Sequence, residues 1–281
     1  MSYQFLQAAK QKLLLSLLVF AVMLSGAVCQ AYGGRVESAI GSDSTDYEVY
    51  YFNPQKMDRP FSYNSHRMRS ASMIKVFILG QAMEEVKAGR MSLDETIVLQ
   101  EDDKVGGAGI LVGYDSGSAL SVDTILRLMI IESDNTATNM MIDRLGFEAI
   151  NDYIARNGYA DSLLQRKMMD FEAVAAGREN YTSANDLGKF FTLLYNHQCV
   201  SRELDDVMLG YLKDQTDDEC LPAANPGSVV AHKTGELAGL IHDGGIVYGP
   251  QEYVIVLMAD DFEGREAAIN RMISINHALL D

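Results

Sequence analysis

The hydrophobic pattern of this chain changes from helical to alternating near its C-terminal end. Three runs after Pro226-Gly227 have the two-residue period of strands: 228–236, 244–248 and 253–259. Another alternating run, Tyr47 to Phe52, stands close to the other end of the chain. Because the residues from about 95 to 225 are mostly helical in period, the sequence predicts a mixed α/β (α+β) fold. An antiparallel sheet is expected from both chain ends, with a mostly helical lobe inserted between them.

Helices are predicted where apolar residues recur at helical spacing. These segments are 72–89, 122–131, 135–145, 185–197 and 265–280. A second, weaker strand is predicted at 61–69, and turns are predicted at Asp243 to Gly245 and at Gly249-Pro250. In such a fold we expect the functional site at the junction of the sheet and the helical lobe.

The run Ser72-Met73-Ile74-Lys75 opens one of these helices. A serine three residues before a lysine shares its helix face, so the hydroxyl and the amine come within contact range. Serine is a poor nucleophile at neutral pH, but a buried, neutral lysine can accept its proton during attack on a carbonyl. Because Ser-x-x-Lys also occurs by chance, this pair alone does not establish a catalytic site.

Two tripeptides later in the chain complete a set with this pair. Ser133-Asp134-Asn135 begins 61 residues after Ser72, and Lys233-Thr234-Gly235 begins 161 residues after it. In this order the three motifs resemble those of class A β-lactamases and penicillin-binding proteins. The resemblance covers about residues 45 to 281. It implies the compact class A β-lactamase fold and a substrate that is a β-lactam or a D-Ala-D-Ala peptide.

The resemblance also implies roles for individual residues. Ser72 Oγ would attack the carbonyl while Lys75 accepts its proton, and Ser133 would pass a proton to the departing nitrogen. The backbone N–H groups of Ser72 and Glu236 would form the oxyanion hole, with the Glu236 side chain merely solvated. Asn135 would hold the acyl-side amide of the substrate, and asparagine is also a favoured N-cap for the helix that follows.

The third motif is expected to bind the carboxylate of the substrate. Lys233 would supply a positive charge, Thr234 a hydroxyl donor, and Gly235 a strand edge that the substrate can approach closely. The family's usual carboxylate-binding arginine falls on His242. Since histidine is charged only part of the time near neutral pH, His242 predicts weaker or pH-dependent carboxylate binding, or else a structural neighbour.

One expected motif of class A enzymes is absent. These enzymes activate the deacylating water with a glutamate in Glu-x-x-Leu-Asn, and that glutamate falls here near Met168 or Met169. The segment between Leu163 and Ser183 is shorter than the family's loop. Asp170 or Glu172 would have to come within hydrogen-bond reach of the water to replace it.

Three functions are therefore compatible with the sequence. The first is a β-lactam hydrolase of class A type with Asp170 or Glu172 as the substitute base. The second is a D-Ala-D-Ala peptidase, a low-molecular-weight penicillin-binding protein that β-lactams acylate and inhibit. The third is a non-catalytic penicillin sensor, for which the sequence offers no signalling region. The missing glutamate favours the second function, whereas the family likeness and compact size favour the first.

The N-terminal residues 1–31 have the pattern of a secretory signal peptide. Lys10 and Lys12 precede the apolar run from Leu13 to Leu24, which is too short for a stable membrane span and is followed by small residues. Export to the periplasm or the extracellular space is therefore expected, with residues 32–281 as a single catalytic domain. A lipid anchor on Cys29 or an uncleaved tether is the alternative, and membrane contact is expected only through these.

Two side-chain pairings are predicted. Arg166 and Glu179 are plausible partners in an ion pair that ties the shortened loop together. Cys199 and Cys220 would remain after signal removal, and in an oxidising compartment they form a disulfide or stay as two separate thiols.

Net charge and histidine spacing exclude several classes of partner. The formal charge of −16 argues against nucleic acid and anionic membranes. The five histidines have no metal-ligand spacing, and no glycine-rich phosphate loop is present, so no metal or cofactor is expected. A monomer that acts on a small-molecule substrate is predicted.

Overall fold

The computed structural model of the protein describes residues 30–281. Its helices are α1 (30–40), α2 (Lys75–Lys87), α3 (Val122–Ile131), α4 (Asn135–Leu145), α5 (Phe147–Arg156), α6 (Phe171–Ala175), α7 (Ala184–Tyr195), α8 (Arg202–Lys213), α9 (Leu221–Ala224) and α10 (Arg265–Leu280). Its strands are β1 (Asp46–Phe52), β2 (Phe61–Tyr63), β3 (Met68–Arg69), β4 (Thr96–Val98), β5 (Ala119–Ser121), β6 (Tyr181–Thr182), β7 (Val229–Leu237), β8 (Leu240–Tyr248) and β9 (Tyr253–Asp260). The predicted helices are thus confirmed to within a few residues.

Five strands form one antiparallel sheet in the order β2-β1-β9-β8-β7. β1 pairs with β9 along its whole length, from Asp46 opposite Asp260 to Phe52 opposite Val254. Because β1 comes from the beginning of the described chain and β7 to β9 from its end, the predicted sheet built from both chain ends is confirmed. β7 forms one edge of this sheet, which leaves its outer side open toward the helical lobe.

The two faces of the sheet are covered by different helices. Successive side chains of a strand point to opposite faces, and β9 follows this rule with apolar residues on both sides. Val254 and Val256 belong to the core shared with the helical lobe, whereas Ile255 and Leu257 belong to the core shared with α1 and α10. Burial on both faces explains why β9 is a continuous apolar run.

The structure corrects the predicted turn at Asp243 to Gly245, which lies inside β8. The turn is at Ala238-Gly239 instead, where Gly239 has a φ of +75°. Gly244 and Gly245 are needed for close packing rather than for chain reversal. A Cβ on Gly245 would lie 2.2 Å from the Ala231 carbonyl oxygen, and one on Gly244 would lie 3.0 Å from Val256.

The predicted strand at 61–69 is divided into two. β2 stays in the large sheet, whereas β3 leaves it and pairs with β6, with Met68 opposite Thr182. The chain segment that leads to Ser72 is therefore attached to the segment between α5 and α7, which contains the shortened loop.

Of the two alternatives for Cys199 and Cys220, the disulfide is absent from the structure. Cys199 and Cys220 are both free thiols, and they belong to the two different cores on opposite faces of the sheet. The alternative of two separate thiols therefore holds.

Most of the predicted signal peptide, with Cys29, lies outside the described residues. Within residues 30–281, none of the helices combines the length and the apolar character needed to cross a bilayer.

Candidate active site

Ser72 lies in a short 3-10 turn, Ala71–Ile74, that leads directly into α2 at Lys75. Ala71 has a φ of +44°, which residues with a Cβ adopt only when the surrounding structure holds them there. Ala71 and Met73 are buried on either side, while Ser72 stays partly exposed. The neighbours of Ser72 are thus anchored in the core, whereas Ser72 itself stays accessible.

Lys75 is fully buried and is held by the turn between α3 and α4. Its Nζ donates to the Ser133 carbonyl oxygen at 2.5 Å, to Ser133 Oγ at 3.1 Å and to Asn135 Oδ1 at 3.0 Å. The Lys75 amine thus has three oxygen atoms within hydrogen-bond distance. The structure therefore brings the first two sequence motifs together around one amine.

Lys233 brings the third motif to the same place. It is fully buried on β7, and its Nζ donates to Ser133 Oγ at 3.1 Å and to the Thr234 carbonyl oxygen at 2.7 Å. The Ser133 hydroxyl thus lies 3.1 Å from the amines of both Lys75 and Lys233. A hydroxyl in this position can relay a proton between an amine and a leaving group.

Burial makes both lysines easier to deprotonate than an exposed lysine. It lowers the pKa of Lys75 well below the usual value, and the charge of Lys233 lowers it further, while Asp134 acts in the opposite direction. Burial also lowers the pKa of Lys233, to about 8, against the opposing effect of Asp217 and Asp243. Lys233 therefore stays largely charged at neutral pH, and Lys75 releases its proton more readily than an exposed lysine does.

Gly235 forms the contact between β7 and the turn of Ser72. A Cβ at this glycine would lie 3.1 Å from Met73 Cγ, 3.2 Å from Ala71 Cβ and 3.2 Å from the Met73 amide nitrogen. Gly235 on β7 therefore packs directly against Ala71 and Met73, the two neighbours of Ser72. The side chain of Glu236 is not merely solvated, since Arg265 donates to it at 2.8 Å.

Asp134, rather than Asn135, is the N-cap of α4. Asp134 Oδ1 accepts an N–H of the first turn at 2.8 Å, and its Oδ2 accepts the N–H groups of Ile110 and Leu111 at 2.6 and 2.8 Å. The Asn135 side chain makes different contacts: its Oδ1 accepts from Lys75 Nζ, and its Nδ2 donates to the Gly106 carbonyl oxygen at 3.1 Å. Asp134 thereby holds the loop that forms one edge of the site.

Of the two predicted substitute bases, Asp170 already accepts a backbone hydrogen bond and Glu172 is exposed to solvent. Asp170 is the N-cap of α6, where its Oδ1 accepts the Ala173 N–H at 2.9 Å, and Glu172 is exposed on that helix. Among residues 30–281, neither carboxylate makes a hydrogen bond or an ion pair with Lys75, Ser133 or Asn135. The geometry therefore does not join Asp170 and Glu172 to the lysine cluster.

Met168 and Met169 line the part of the loop where the family has its glutamate. The Asn139 side chain holds the Met168 backbone from both sides, accepting from its N–H at 2.8 Å and donating to its carbonyl oxygen at 3.1 Å. Met169 Sδ and Asn135 Nδ2 both face Gly107, at 3.0 and 2.7 Å from where its Cβ would stand. A thioether therefore lies where a carboxylate is expected.

The predicted ion pair of the shortened loop is confirmed. Arg166 contacts Glu179 at 2.6 Å and is itself nearly buried. Asn180 adds to this closure, because its Oδ1 accepts the N–H groups of Gln165 and Arg166 at 2.8 and 3.0 Å. These contacts thus hold the two ends of the shortened loop together.

His242 does not offer a cation to a substrate carboxylate. It is fully buried, its Nε2 lies 2.8 Å from the Arg69 carbonyl oxygen, and its Nδ1 lies 2.8 Å from that of Ile241. Burial lowers the pKa of His242 to about 4, so the ring is neutral at neutral pH. The prediction of a carboxylate-binding histidine is therefore corrected in favour of the alternative, a structural neighbour.

Sequence reasoning did not assign the roles of Asp134, Asn139 and Asn180. Asp134 belongs to the Ser-Asp-Asn motif, so the preference of aspartate for helix N-caps could have identified it. Asn139 and Asn180 bind backbone groups 29 and 14 residues away, and no local pattern indicates such contacts.

An open cleft of about 420 Å³ borders the lysine cluster. Ser133 and Thr234 line it together with Glu132, Asp217 and Asp218. The cleft is large enough for part of a small ligand.

Comparison with known proteins agrees with this geometry. The model of the beta-lactamase enzyme family matches residues 35–280. The beta-lactamase VEB-1 of Pseudomonas aeruginosa is 21% identical over 276 residues, which cover 93% of this chain and 92% of that protein.

Two solved structures have the same fold. A beta-lactamase from Sphaerobacter thermophilus is 28% identical with a TM-score of 0.79, over 89% of this chain and 95% of its own. PBP-A is 25% identical with a TM-score of 0.81, over 89% of this chain and 94% of its own. A leucine-to-glutamate mutant of PBP-A has been solved as an acyl-enzyme complex with penicillin G.

Proposed function

Because the chain belongs to the beta-lactamase enzyme family, we propose that it opens β-lactams through an acyl-Ser72 intermediate whose hydrolysis is slow. The observation that carries the proposal is the Ser133 hydroxyl, 3.1 Å from the two buried amines of Lys75 and Lys233. These groups provide what acylation of a serine by a cyclic amide needs: a base, a proton relay and a cation for the carboxylate.

The acylation step uses residues of all three motifs. Lys75, whose pKa is lowered by burial, takes the proton of Ser72 as its Oγ attacks the lactam carbonyl. The oxyanion is stabilised by the N–H groups of Ser72 and Glu236. Ser133 then gives its proton to the lactam nitrogen as the carbon–nitrogen bond breaks, and it recovers a proton from a neighbouring lysine.

Labelling by a fluorescent penicillin tests this step. Ser72→Ala is expected to abolish labelling while thermal unfolding stays that of a folded protein. Ser62→Ala, at an exposed serine on β2, is the matched control and is expected to label fully. Full labelling of the Ser72→Ala variant would refute the assignment.

Slow hydrolysis is proposed because, among residues 30–281, neither Asp170 nor Glu172 bonds to Lys75, Ser133 or Asn135, and two methionines stand where the resemblance places the deacylating glutamate. Asp170→Asn preserves an N-cap but removes a base, so it separates the two roles of this residue. We expect unchanged turnover of benzylpenicillin in Asp170→Asn and in Glu172→Gln. A large loss of turnover in either variant would make that residue the deacylation base and the protein an efficient β-lactamase.

A D-Ala-D-Ala peptidase is the second candidate function. The two methionines at the glutamate position favour it, as does the likeness to PBP-A. Release of D-alanine from diacetyl-Lys-D-Ala-D-Ala by the wild-type protein, and its loss in Ser72→Ala, would support this function. We also propose that the chain is exported and acts as a monomer.

A further inference from the structure

The turn that carries Ser72 packs against β7, the edge strand of the sheet, and against its neighbour β8. Gly235 on β7 stands opposite His242 on β8, and Lys233 stands opposite Gly244. Met73 fills the space above both glycines, since its Cγ and Cε lie 3.1 and 3.3 Å from where Cβ atoms on Gly235 and Gly244 would be. Packing of Met73 therefore contributes to the placement of the turn on the sheet.

His242 adds a directional link from β8 to this turn. Its Nε2 is 2.8 Å from the carbonyl oxygen of Arg69, three residues before Ser72. A neutral imidazole has only one N–H, and burial keeps this ring neutral. We assign the proton to Nε2, because the other nearby carbonyl, that of Ile241, lies in a strand paired on both sides by β7 and β9.

Two other contacts hold the same segment. The Arg69 guanidinium binds Asp260 Oδ1 on β9 at 2.5 Å, and the Ser70 N–H donates to the Asn180 carbonyl oxygen at 2.8 Å. Because the Ser70 N–H and the Arg69 carbonyl belong to one planar peptide group, Asn180 holds one side of this peptide and His242 holds the other. The two bonds together fix the orientation of the peptide, one residue before Ala71 with its left-handed backbone.

We propose that His242 is a positioning residue that sets the place of Ser72 relative to β7 through its Nε2–H bond to the Arg69 carbonyl. The inference deepens the proposed function, and it gives this histidine a part in catalysis that does not involve contact with substrate. Loss of the bond leaves this peptide held only at the Ser70 N–H, so the turn shifts and Ser72 moves away from β7.

Three variants separate positioning from polarity and from packing. In His242→Gln the side-chain nitrogen stands where Nε2 stood and can still donate to Arg69. In His242→Asn it stands at the place of Nδ1 and cannot reach Arg69. His242→Leu fills the space without a donor. For each variant we would measure the acylation rate constant and the binding constant for benzylpenicillin separately, per folded protein, together with thermal unfolding.

The expected result is near-wild-type acylation in His242→Gln. A loss of about 10- to 100-fold in the rate constant is expected in the Asn and Leu variants, with the binding constant little changed. Equal rate constants in the Gln and Asn variants would overturn the proposal. A loss confined to the binding constant would also overturn it, because it would indicate that His242 helps to bind the substrate carboxylate.

Crystal structures of the same variants keep the two proposals distinguishable. The turn at 69–72 should shift away from β7 in the Asn variant and stay in place in the Gln variant. This comparison does not require acylation. If the wild-type protein is not acylated, the proposed function is refuted, but the positioning role of His242 can still be tested. An unshifted turn in the Asn variant would refute the positioning role.

Discussion

At the scale of single residues, the proposed mechanism gives different roles to two lysines that contact the same Ser133 hydroxyl. Lys75 has to be neutral to accept a proton, whereas Lys233 has to be charged to bind a carboxylate. Burial lowers the pKa of Lys75 well below its usual value and that of Lys233 to about 8. The division of roles therefore requires a pH at which the two groups differ in charge.

This division predicts how acylation efficiency changes with pH. Efficiency is expected to rise on the acid side as Lys75 loses its proton, and to fall as the pH rises through about 8, because Lys233 then loses the charge that binds the carboxylate. Lys233→Arg stays charged throughout, so its basic limb should move to higher pH even if its efficiency is lower. Stopped-flow acylation from about pH 6 to about pH 9.5 measures both limbs. An unmoved basic limb in Lys233→Arg would contradict the assignment.

The methionines of the shortened loop predict a gain of function. Met168→Glu and Met169→Glu, made separately, place a carboxylate on the segment that Asn139 holds beside the site. We expect at least one of them to clear the penicillin adduct about 100-fold faster or more, the usual contribution of a general base. Met168→Gln and Met169→Gln are the matched controls. If all four variants keep the adduct as long as wild type, the loop does not position the deacylating water.

At the scale of elements, β8 shows what the sequence could and could not predict. Helices and strand runs follow from local periodicity, so α4, α10 and β9 were predicted nearly to the residue. Two adjacent glycines after an aspartate have the composition of a turn, yet Gly244 and Gly245 serve contacts with residues of other elements. The same limit applies to the site, because its motifs are local whereas the contacts of Asn139 and His242 are not.

These two glycines provide a stability prediction. A Cβ on Gly245 meets the Ala231 carbonyl oxygen at 2.2 Å, and strand backbone cannot move away without breaking the ladder. A Cβ on Gly244 meets side chains of Val256 and Met73, which can adjust. We expect Gly245→Ala to lower the free energy of unfolding by about 3 kcal/mol or more and Gly244→Ala by about 1 kcal/mol. Urea unfolding measures both, and equal losses would contradict the packing account.

At the scale of the whole molecule, a buried carboxylate joins the sheet to the helical lobe. Glu48 on β1 is fully buried, and it accepts the N–H of Ala184 at the start of α7 at 2.7 Å and that of His66 at 3.1 Å. Burial raises the pKa of Glu48 to about 7. The pKa of His66 is also raised, by its bond to the Asn64 carbonyl and by the charges of Glu48 and Asp46.

Linkage gives the sign of the resulting pH dependence. Between the ordinary glutamate pKa and about 7, the folded state binds more protons at Glu48 than the unfolded state, so stability is lost as the pH rises through about 7. The decline is expected to be about 1 to 3 kcal/mol between pH 5 and pH 8. In Glu48→Gln the side chain does not titrate, so the slope should be smaller although one acceptor is lost. An identical slope in the variant would assign the decline to other groups, His66 first among them.

The central claim is acylation of Ser72 followed by slow release. The most direct test is a time course of intact mass after benzylpenicillin is added to the wild-type protein, with Ser72→Ala in parallel. The account predicts one adduct per wild-type chain that outlasts the free drug by hours, and none on the variant. An adduct on Ser72→Ala, or no adduct on the wild type, would contradict the assigned nucleophile, and clearance within seconds would contradict slow release.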